Sequence, residues 1–253
     1  MTTILSWNVN GLRAALKNGF MEWFSATRPD VLCLQETRVM PNELDAELLA
    51  PHGYSSYWNP AQKKGYSGTG IYARVAPRSV ETMGLAEFDD EGRVQAADFG
   101  DYVVLNGYWP NSQSERKRLD YKLRFCGAIG TMADKLVKKG KNVILCGDFN
   151  IAHTPADLAR PKENENNAGY YIEEREAMTA FLERGYVDTF RHLNPDKVQY
   201  SWWSYRANAR PKNIGWRIDY HCVNRAFAPR VKAAWINDEV PGSDHCPVGI
   251  TLE

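Results

Sequence analysis

The chain has no apolar run near the ~20 residues a membrane-spanning helix requires, no Cys-x-x-Cys pair, and no net charge, 31 Lys and Arg balancing 31 Asp and Glu. The first absence argues against a membrane protein. The N-terminus goes straight into a strand-like Thr3-Ile4-Leu5-Ser6-Trp7 with no secretory signal, so a cytoplasmic protein is expected. The second argues against a zinc or dithiol centre. Cys33, Cys146 and Cys222 sit inside apolar runs and read as buried thiols, and an odd total of five cysteines needs no disulfide in a reducing compartment. The third argues against a protein that coats nucleic acid, because such proteins are basic overall. An enzyme that grips a few phosphates with a local patch remains open. There is no repeat, low-complexity segment or linker, and residues 1–253 read as one domain.

What is present is an α/β pattern. Ile4 to Trp7 reads as a buried strand, and Leu12, Leu16, Phe20, Trp23 and Phe24 then recur at helical spacing. Pro29-Asp30 ends that helix before a second buried strand, Val31-Leu32-Cys33-Leu34. This β-α-β opening predicts parallel strands, with Asn8 and Glu36 at one carboxyl-terminal edge, where open α/β sheets place their sites. Gly53 to Trp58 and Thr69 to Val75 read as strands around Lys63-Lys64-Gly65-Tyr66-Ser67-Gly68, a hairpin connection lacking any phosphate-cradling pattern. Val94 to Phe99 and Tyr102 to Tyr108 flank a two-residue hairpin signal, Gly100-Asp101. Ser112 or Ser114 is predicted to cap a helix carrying Leu119, Leu123, Cys126 and Ile129, with Arg116, Lys117, Arg118, Lys122 and Arg124 on its solvated faces. Asn142 to Cys146 is a strand, Thr154 to Tyr171 a polar loop and Glu173 to Gly185 a helix. Trp216 to Asn224, Val231 to Ile236 and Val248 to Leu252 are the last strands.

Five stretches at the borders of these apolar runs carry carboxylates, amides and an imidazole. They are Ser6-Trp7-Asn8-Val9-Asn10, Leu34-Gln35-Glu36-Thr37, Gly147-Asp148-Phe149-Asn150, Trp216-Arg217-Ile218-Asp219-Tyr220 and Gly242-Ser243-Asp244-His245-Cys246-Pro247. Apolar strands seldom end in such groups so often unless the groups converge. Hard oxygens with one imidazole suit Mg²⁺ or Mn²⁺ acting on phosphate. Glu36, with Asn8 on the neighbouring strand, would supply a metal ligand. Asp148 and Asn150 alternate with Phe149, so in extended backbone both point to one side, giving a base and a hydrogen-bond donor. Asp244-His245 stands before a strand, and Asp219 could hold the imidazole as a cation. Ser243 beside Asp244 raises a serine-hydrolase alternative, but no nucleophile elbow accompanies it.

These motifs resemble the exonuclease III family of apurinic/apyrimidinic endonucleases, within the endonuclease/exonuclease/phosphatase superfamily. The likeness covers Ser-Trp-Asn-Val-Asn-Gly-Leu-Arg-Ala at 6–14, Leu-Gln-Glu-Thr at 34–37, Lys-Gly-Tyr-Ser-Gly at 64–68 and Gly-Asp-Phe-Asn-Ile-Ala-His at 147–153. It continues through Asn-Ala-Arg-Pro-Lys-Asn-Ile-Gly-Trp-Arg-Ile-Asp-Tyr at 208–220 and Gly-Ser-Asp-His-Cys-Pro at 242–247. The resemblance implies a four-layer α/β sandwich, two packed mixed or mostly antiparallel sheets flanked by helices. It implies Glu36 as principal Mg²⁺ ligand, with Mn²⁺ able to substitute, helped by Asn8 and Asp244; Asp148 and Asn150 would take a second ion, with His245 among the metal-facing groups. It also implies that Asp148 activates water, Asn150 holds phosphate, Tyr108 touches the phosphate or the leaving group, and His245, oriented by Asp219, steadies the phosphorane. Asn10 departs from relatives that carry Asp there. Whether Asp148 or His245 is the base, and whether one ion or two act, stays open. The implied reaction is cleavage 5′ to an abasic site in duplex DNA, with 3′–5′ exonuclease activity, by a monomer.

Ser204 to Arg217 contains Arg206, Arg210, Lys212 and Arg217 and no acid, near Trp202, Trp203, Tyr205 and Trp216. Cations grip phosphates and aromatic faces stack on bases or sugars. Relatives use this loop to cover an extruded abasic sugar, which implies DNA contacts from Tyr108, Asn111, Trp202, Arg206, Arg210, Lys212 and Trp216. Extruding a nucleotide that has lost its base costs little, since its stacking and pairing are already gone. A lipid phosphatase of the same superfamily would show a membrane-directed loop or a secretory signal. A binding module would have lost Glu36, Asp148 or His245.

Overall fold

The structure, a computed structural model, describes residues 1–253. Twelve strands form two six-stranded sheets. The first takes β1 (Thr2–Asn8), β2 (Val31–Gln35), β3 (Ser55–Asn59), β4 (Thr69–Ala73), β11 (Val231–Ile236) and β12 (Val248–Leu252), in the order β11-β12-β1-β2-β4-β3. The second takes β5 (Ser79–Glu81), β6 (Val94–Asp98), β7 (Tyr102–Tyr108), β8 (Asn142–Asp148), β9 (Tyr186–Asp188) and β10 (Asp219–Asn224), in the order β5-β6-β7-β8-β10-β9. Each sheet has one parallel pair at its centre, β1 with β2 and β7 with β8; every other pairing is antiparallel.

The layers follow from side-chain alternation at period two. Ile4, Val31, Cys33, Ile144 and Cys146 point between the sheets and fill the central core with Ile71, Val104, Val223 and Ile250. Their neighbours Leu5, Leu32 and Leu34 point outward under α1 (Leu12–Lys17) and α2 (Phe20–Thr27). Val143 and Leu145 point outward under α3 (Leu119–Lys138) and α4 (Ile172–Glu183). Both faces of the central strands are therefore buried, which is why they read as unbroken apolar runs. Helix, sheet, sheet, helix gives the expected four-layer sandwich.

Several local expectations are corrected. The helix expected from Leu12 to Phe24 is two helices, parted at Gly19, whose φ of 91° is left-handed and open to glycine at little cost. Neither Ser112 nor Ser114 caps α3: Arg118 precedes it without a side-chain cap, and the Ser112 hydroxyl donates to Glu174 at 2.5 Å. Lys122 faces inward, fully buried, because the Glu174 carboxylate lies opposite it. The last long strand of the second sheet begins at Asp219, while Trp216 makes isolated bridges to Leu158 and Trp202. The Thr154–Tyr171 loop contains short helical turns, and the three-residue strands β5 and β9 are too brief to show a period.

Candidate active site

The carboxyl ends of the two parallel pairs meet, and the functional groups converge there. Asn8 ends β1, Glu36 follows β2, Tyr108 ends β7 and Asp148 ends β8. Asp148 is in register with Tyr108 on one side and Asp219 on the other. His245 precedes β12 and joins Trp202 through an isolated bridge. The buried Asn8 amide ties the sheets together, its Nδ2 donating to Asp148 Oδ2 at 2.9 Å and to Glu36 Oε2 at 3.2 Å.

Glu36 adopts φ 53° and Arg38 φ 54°, left-handed values unfavourable for such side chains and of the kind that collect at functional sites. The glycine-rich loop holds them there: Thr37 N–H donates to the Gly68 carbonyl at 3.1 Å and Arg38 N–H to that of Ser67 at 2.9 Å. A Cβ on Gly68 would lie 2.8 Å from Thr37 Oγ1, so this approach requires glycine. The loop is the β3–β4 hairpin connection that its sequence predicts, and it also clamps the Glu36 corner.

Asp148 and Asn150 do come together, but not on extended backbone. Asn150 has φ 53°, and its N–H donates to Asp148 Oδ1 at 2.8 Å, an Asx turn. Its amide Nδ2 donates to Asp148 Oδ2 at 3.0 Å and its Oδ1 accepts from Asn111 Nδ2 at 3.1 Å. Asp219 Oδ2 accepts from His245 Nδ1 at 2.9 Å and from the Ser201 hydroxyl at 2.6 Å. His245 Nε2 faces Asp148 Oδ2 at 3.9 Å.

Burial pushes the Asp148 carboxyl up, and although His245 opposes this, the nearby Asp219 adds to it, leaving it at about 7. Burial alone would lower the His245 imidazole; Asp219 and Asp148 outweigh it and raise the group to about 10. His245 is therefore a cation at neutral pH while Asp148 can exchange a proton there. Burial, with the Glu36 and Asp148 carboxylates, keeps the Tyr108 phenol protonated, and the Arg93 guanidinium lies 5.0 Å from its ring centre.

The donor set fits a hard divalent cation. Ligand atoms of Asp148, Asp219 and His245 lie within 4.8 Å of one another, and the buried Asp219 Oδ1 has no hydrogen-bond partner. Glu36 lies outside that tight group, across Asn8, with Oε1 paired to Arg38. Asp244 Oδ1 accepts from Asn10 Nδ2 at 2.9 Å and Oδ2 from Trp202 Nε1 at 3.0 Å, so Asn10 touches the site as a donor.

A cleft of about 420 Å³ opens over these groups. One wall is aromatic: Trp202 and Trp216 meet edge to face at 6.1 Å and 89°, with Ile218 beside them. The basic segment is only partly available to DNA. Arg206 and Lys212 are exposed. Arg210 is not a free cation, since it donates to the carbonyls of Ser243, Asp238 and Val240 and stacks 4.7 Å from the Trp203 ring centre. Arg217 is buried between Asp157 and Asp188, at 2.8 and 2.7 Å. Sequence reading missed Arg38 and the Asn167-Ala168-Gly169 wall, which also line the cleft. Arg38 adjoins the Leu-Gln-Glu-Thr motif and was findable there, whereas the wall lies in an irregular loop with no periodic signal.

Comparison with known proteins agrees with this geometry. The model of the Endonuclease/Exonuclease/phosphatase family matches residues 5–245. An exodeoxyribonuclease of Bacillus subtilis (strain 168) is 46% identical over 252 residues, 98% of each chain. A DNA-(apurinic or apyrimidinic site) endonuclease of Dictyostelium discoideum is 39% identical over 254 residues, 99% of this chain and 70% of that one. Among solved structures, an AP endonuclease from Archaeoglobus fulgidus superposes with a TM-score of 0.90 at 28% identity, covering 100% of both chains. With its motifs in place around one cleft, the chain belongs to the endonuclease/exonuclease/phosphatase family, in the branch of AP endonucleases and exodeoxyribonucleases.

Proposed function

We propose that this protein is a DNA-repair nuclease. It hydrolyses the phosphodiester 5′ to an abasic site in duplex DNA, removes 3′-terminal nucleotides as well, and works as a monomer with Mg²⁺, which Mn²⁺ can replace. The observation that carries the reading is the Asp148–His245 centre opening directly onto an apolar wall of Trp202, Trp216 and Ile218. A sugar that has lost its base presents an apolar face to such a wall while its phosphate reaches the polar centre.

Asp148 accepts the proton of the attacking water, a role that suits a carboxyl poised near neutrality. His245, which the Asp219 and Asp148 carboxylates favour as a cation, donates to a phosphoryl oxygen as negative charge builds. Asp219 holds its ring in that orientation. Asn150 donates its amide to the phosphate, and Tyr108, still protonated, donates at the leaving oxygen. Glu36, with Asn8 and Asp244, would hold the ion, and Asp148 and Asn150 face a second position, the His245 imidazolium beside it having no lone pair to give; a bound ion supplies Lewis-acid stabilisation of the phosphate. Arg206, Lys212, Asn111 and the tryptophans contact the strand.

The test is incision of a duplex carrying one abasic-site analogue, with Mg²⁺ and with EDTA, beside a recessed 3′ end and undamaged duplex. Metal-dependent cleavage 5′ to the lesion is expected. Cleavage of undamaged and abasic duplex at equal rates would overturn the substrate assignment.

A further inference from the structure

Lys122 and Glu174 form an ion pair at 2.7 Å with neither side chain accessible to solvent. Taking two charges out of water is costly, and such pairs give weak stability for that cost. One of the remaining hydrogen bonds of the pair closes the capping box of α4 at Tyr171, and two others go to residues that line the cleft, Asn150 and Gly169. Lys122 Nζ donates to the Asn150 carbonyl at 2.6 Å. Glu174 Oε1 also accepts from the Ser112 hydroxyl, next to Asn111. Glu174 Oε2 accepts the N–H of Gly169 at 2.7 Å and of Tyr171 at 3.0 Å.

Those partners belong to two irregular segments of the site, the turn at Asn150 and the loop ending at Gly169. Asn150 stands in left-handed backbone one residue beyond Phe149, and its amide Nδ2 donates to both Asp148 Oδ2 at 3.0 Å and the Trp109 carbonyl at 3.1 Å, so its aim follows the placement of its backbone. Gly169 sits against both Asn150 and Trp216: a Cβ there would lie 3.2 Å from the Asn150 carbonyl oxygen and 3.2 Å from the Trp216 ring. The Gly169 carbonyl in turn accepts from Ala152 N–H at 2.8 Å.

We propose that the Lys122–Glu174 pair is a positioning device that locks the Asn150 amide and the Asn167–Gly169 wall into one unit. Neither residue touches substrate; Lys122 acts through Asn150 and Glu174 through Gly169. For its effect on turnover the proposal rests on the role given to Asn150 above. A single substitution leaves a buried charge alone and threatens folding. The informative variant is therefore K122M/E174Q, which removes both charges at similar volume.

Two readouts separate this proposal from the functional one. In the metal-free protein, amide hydrogen exchange at Asn150, Gly169 and Tyr171 should speed up by about 10-fold or more in K122M/E174Q, while Leu145 in β8 keeps its protection. On DNA, kcat for removal of 3′ nucleotides should fall about 10- to 100-fold with the dissociation constant for DNA little changed, as expected of a misplaced group. In an N150A background the same pair of changes should cost less than about 2-fold, because coupled residues are not additive. Unchanged exchange and turnover in the folded double variant would overturn the proposal, as would a loss that persists in full without the Asn150 amide. A wild-type protein that fails to cleave abasic duplex would defeat the functional reading alone, since the exchange measurement needs no activity.

Discussion

Asp148 and Asp219 stand directly opposite one another in the β8–β10 ladder, and His245 lies over the pair, 2.9 Å from one carboxylate and 3.9 Å from the other. Two like charges side by side in a ladder repel. The imidazolium offsets that repulsion, and each carboxylate raises the affinity of the ring for its proton.

The pH profile should show this directly. His245 is raised from 6.5 to about 10, so its charge is kept through neutrality and lost only in alkali. In Asp219→Asn the ring loses its nearest carboxylate and deprotonates at lower pH. Activity should then fall most on the alkaline side, while the acid limb, set by Asp148, moves to lower pH because the Asp219 charge that helps raise Asp148 is gone. A rate profile of unchanged shape would contradict the pairing.

Asp148→Asn keeps the shape of the side chain and removes the base. Turnover should drop roughly 10²–10⁴-fold while DNA binding persists. Asn150→Ala should cost on the order of 10²–10³-fold by removing a fixed donor. Near-full turnover in Asp148→Asn would move the base role to His245.

Excess EDTA should abolish incision and Mg²⁺ should restore it, with Glu36→Ala needing far more metal for half-maximal rate. Metal titrations of the two proteins at fixed DNA would show the displacement. Equal metal requirements would remove Glu36 from the ligand set.

Trp216→Ala should impair incision at abasic sites more than removal of ordinary 3′ nucleotides, which needs no place for an extruded sugar. Binding should weaken with salt, with a slope near the handful of phosphates neutralised. Equal losses on both substrates would make Trp216 structural.

Acid stability should depend on Asp157. Burial opposes its charge, but Arg217 and Arg191 outweigh burial and hold it down at about 2. The unfolded carboxyl titrates near 3.8, so the stabilisation is full above that value and disappears as pH falls toward about 2. The window is worth about 2–3 kcal/mol. Chemical unfolding of the wild type and Asp157→Asn at pH 5 and pH 2.5 should show a shallower fall in the variant.

Much of this site was legible because its polar groups stand at the borders of apolar strands, just before or just after them, where a change between buried apolar and polar residues is visible along the chain. Asn8, Glu36, Asp148, Asp219 and His245 are all of that kind. The helix break at Gly19 and the left-handed turn at Asn150 were harder, since both replace a periodic pattern by one local dihedral. Arg210, Arg217 and Lys122 misled for a different reason. A cation in a sequence looks like a surface group, and only the fold reveals the carbonyls, or the Asp157, Asp188 and Glu174 carboxylates, placed around it.

The Asn8 amide, bridging Glu36 on one sheet and Asp148 on the other, makes catalysis a gauge of how the two halves of the sandwich are seated. A shear of one sheet over the other by a fraction of a hydrogen-bond length would pull the Asp148 and Glu36 carboxylates apart while leaving each sheet intact. Small volume changes in the layer between them, at Ile144 or Val104, far from any substrate, should therefore register in turnover before they register in melting temperature.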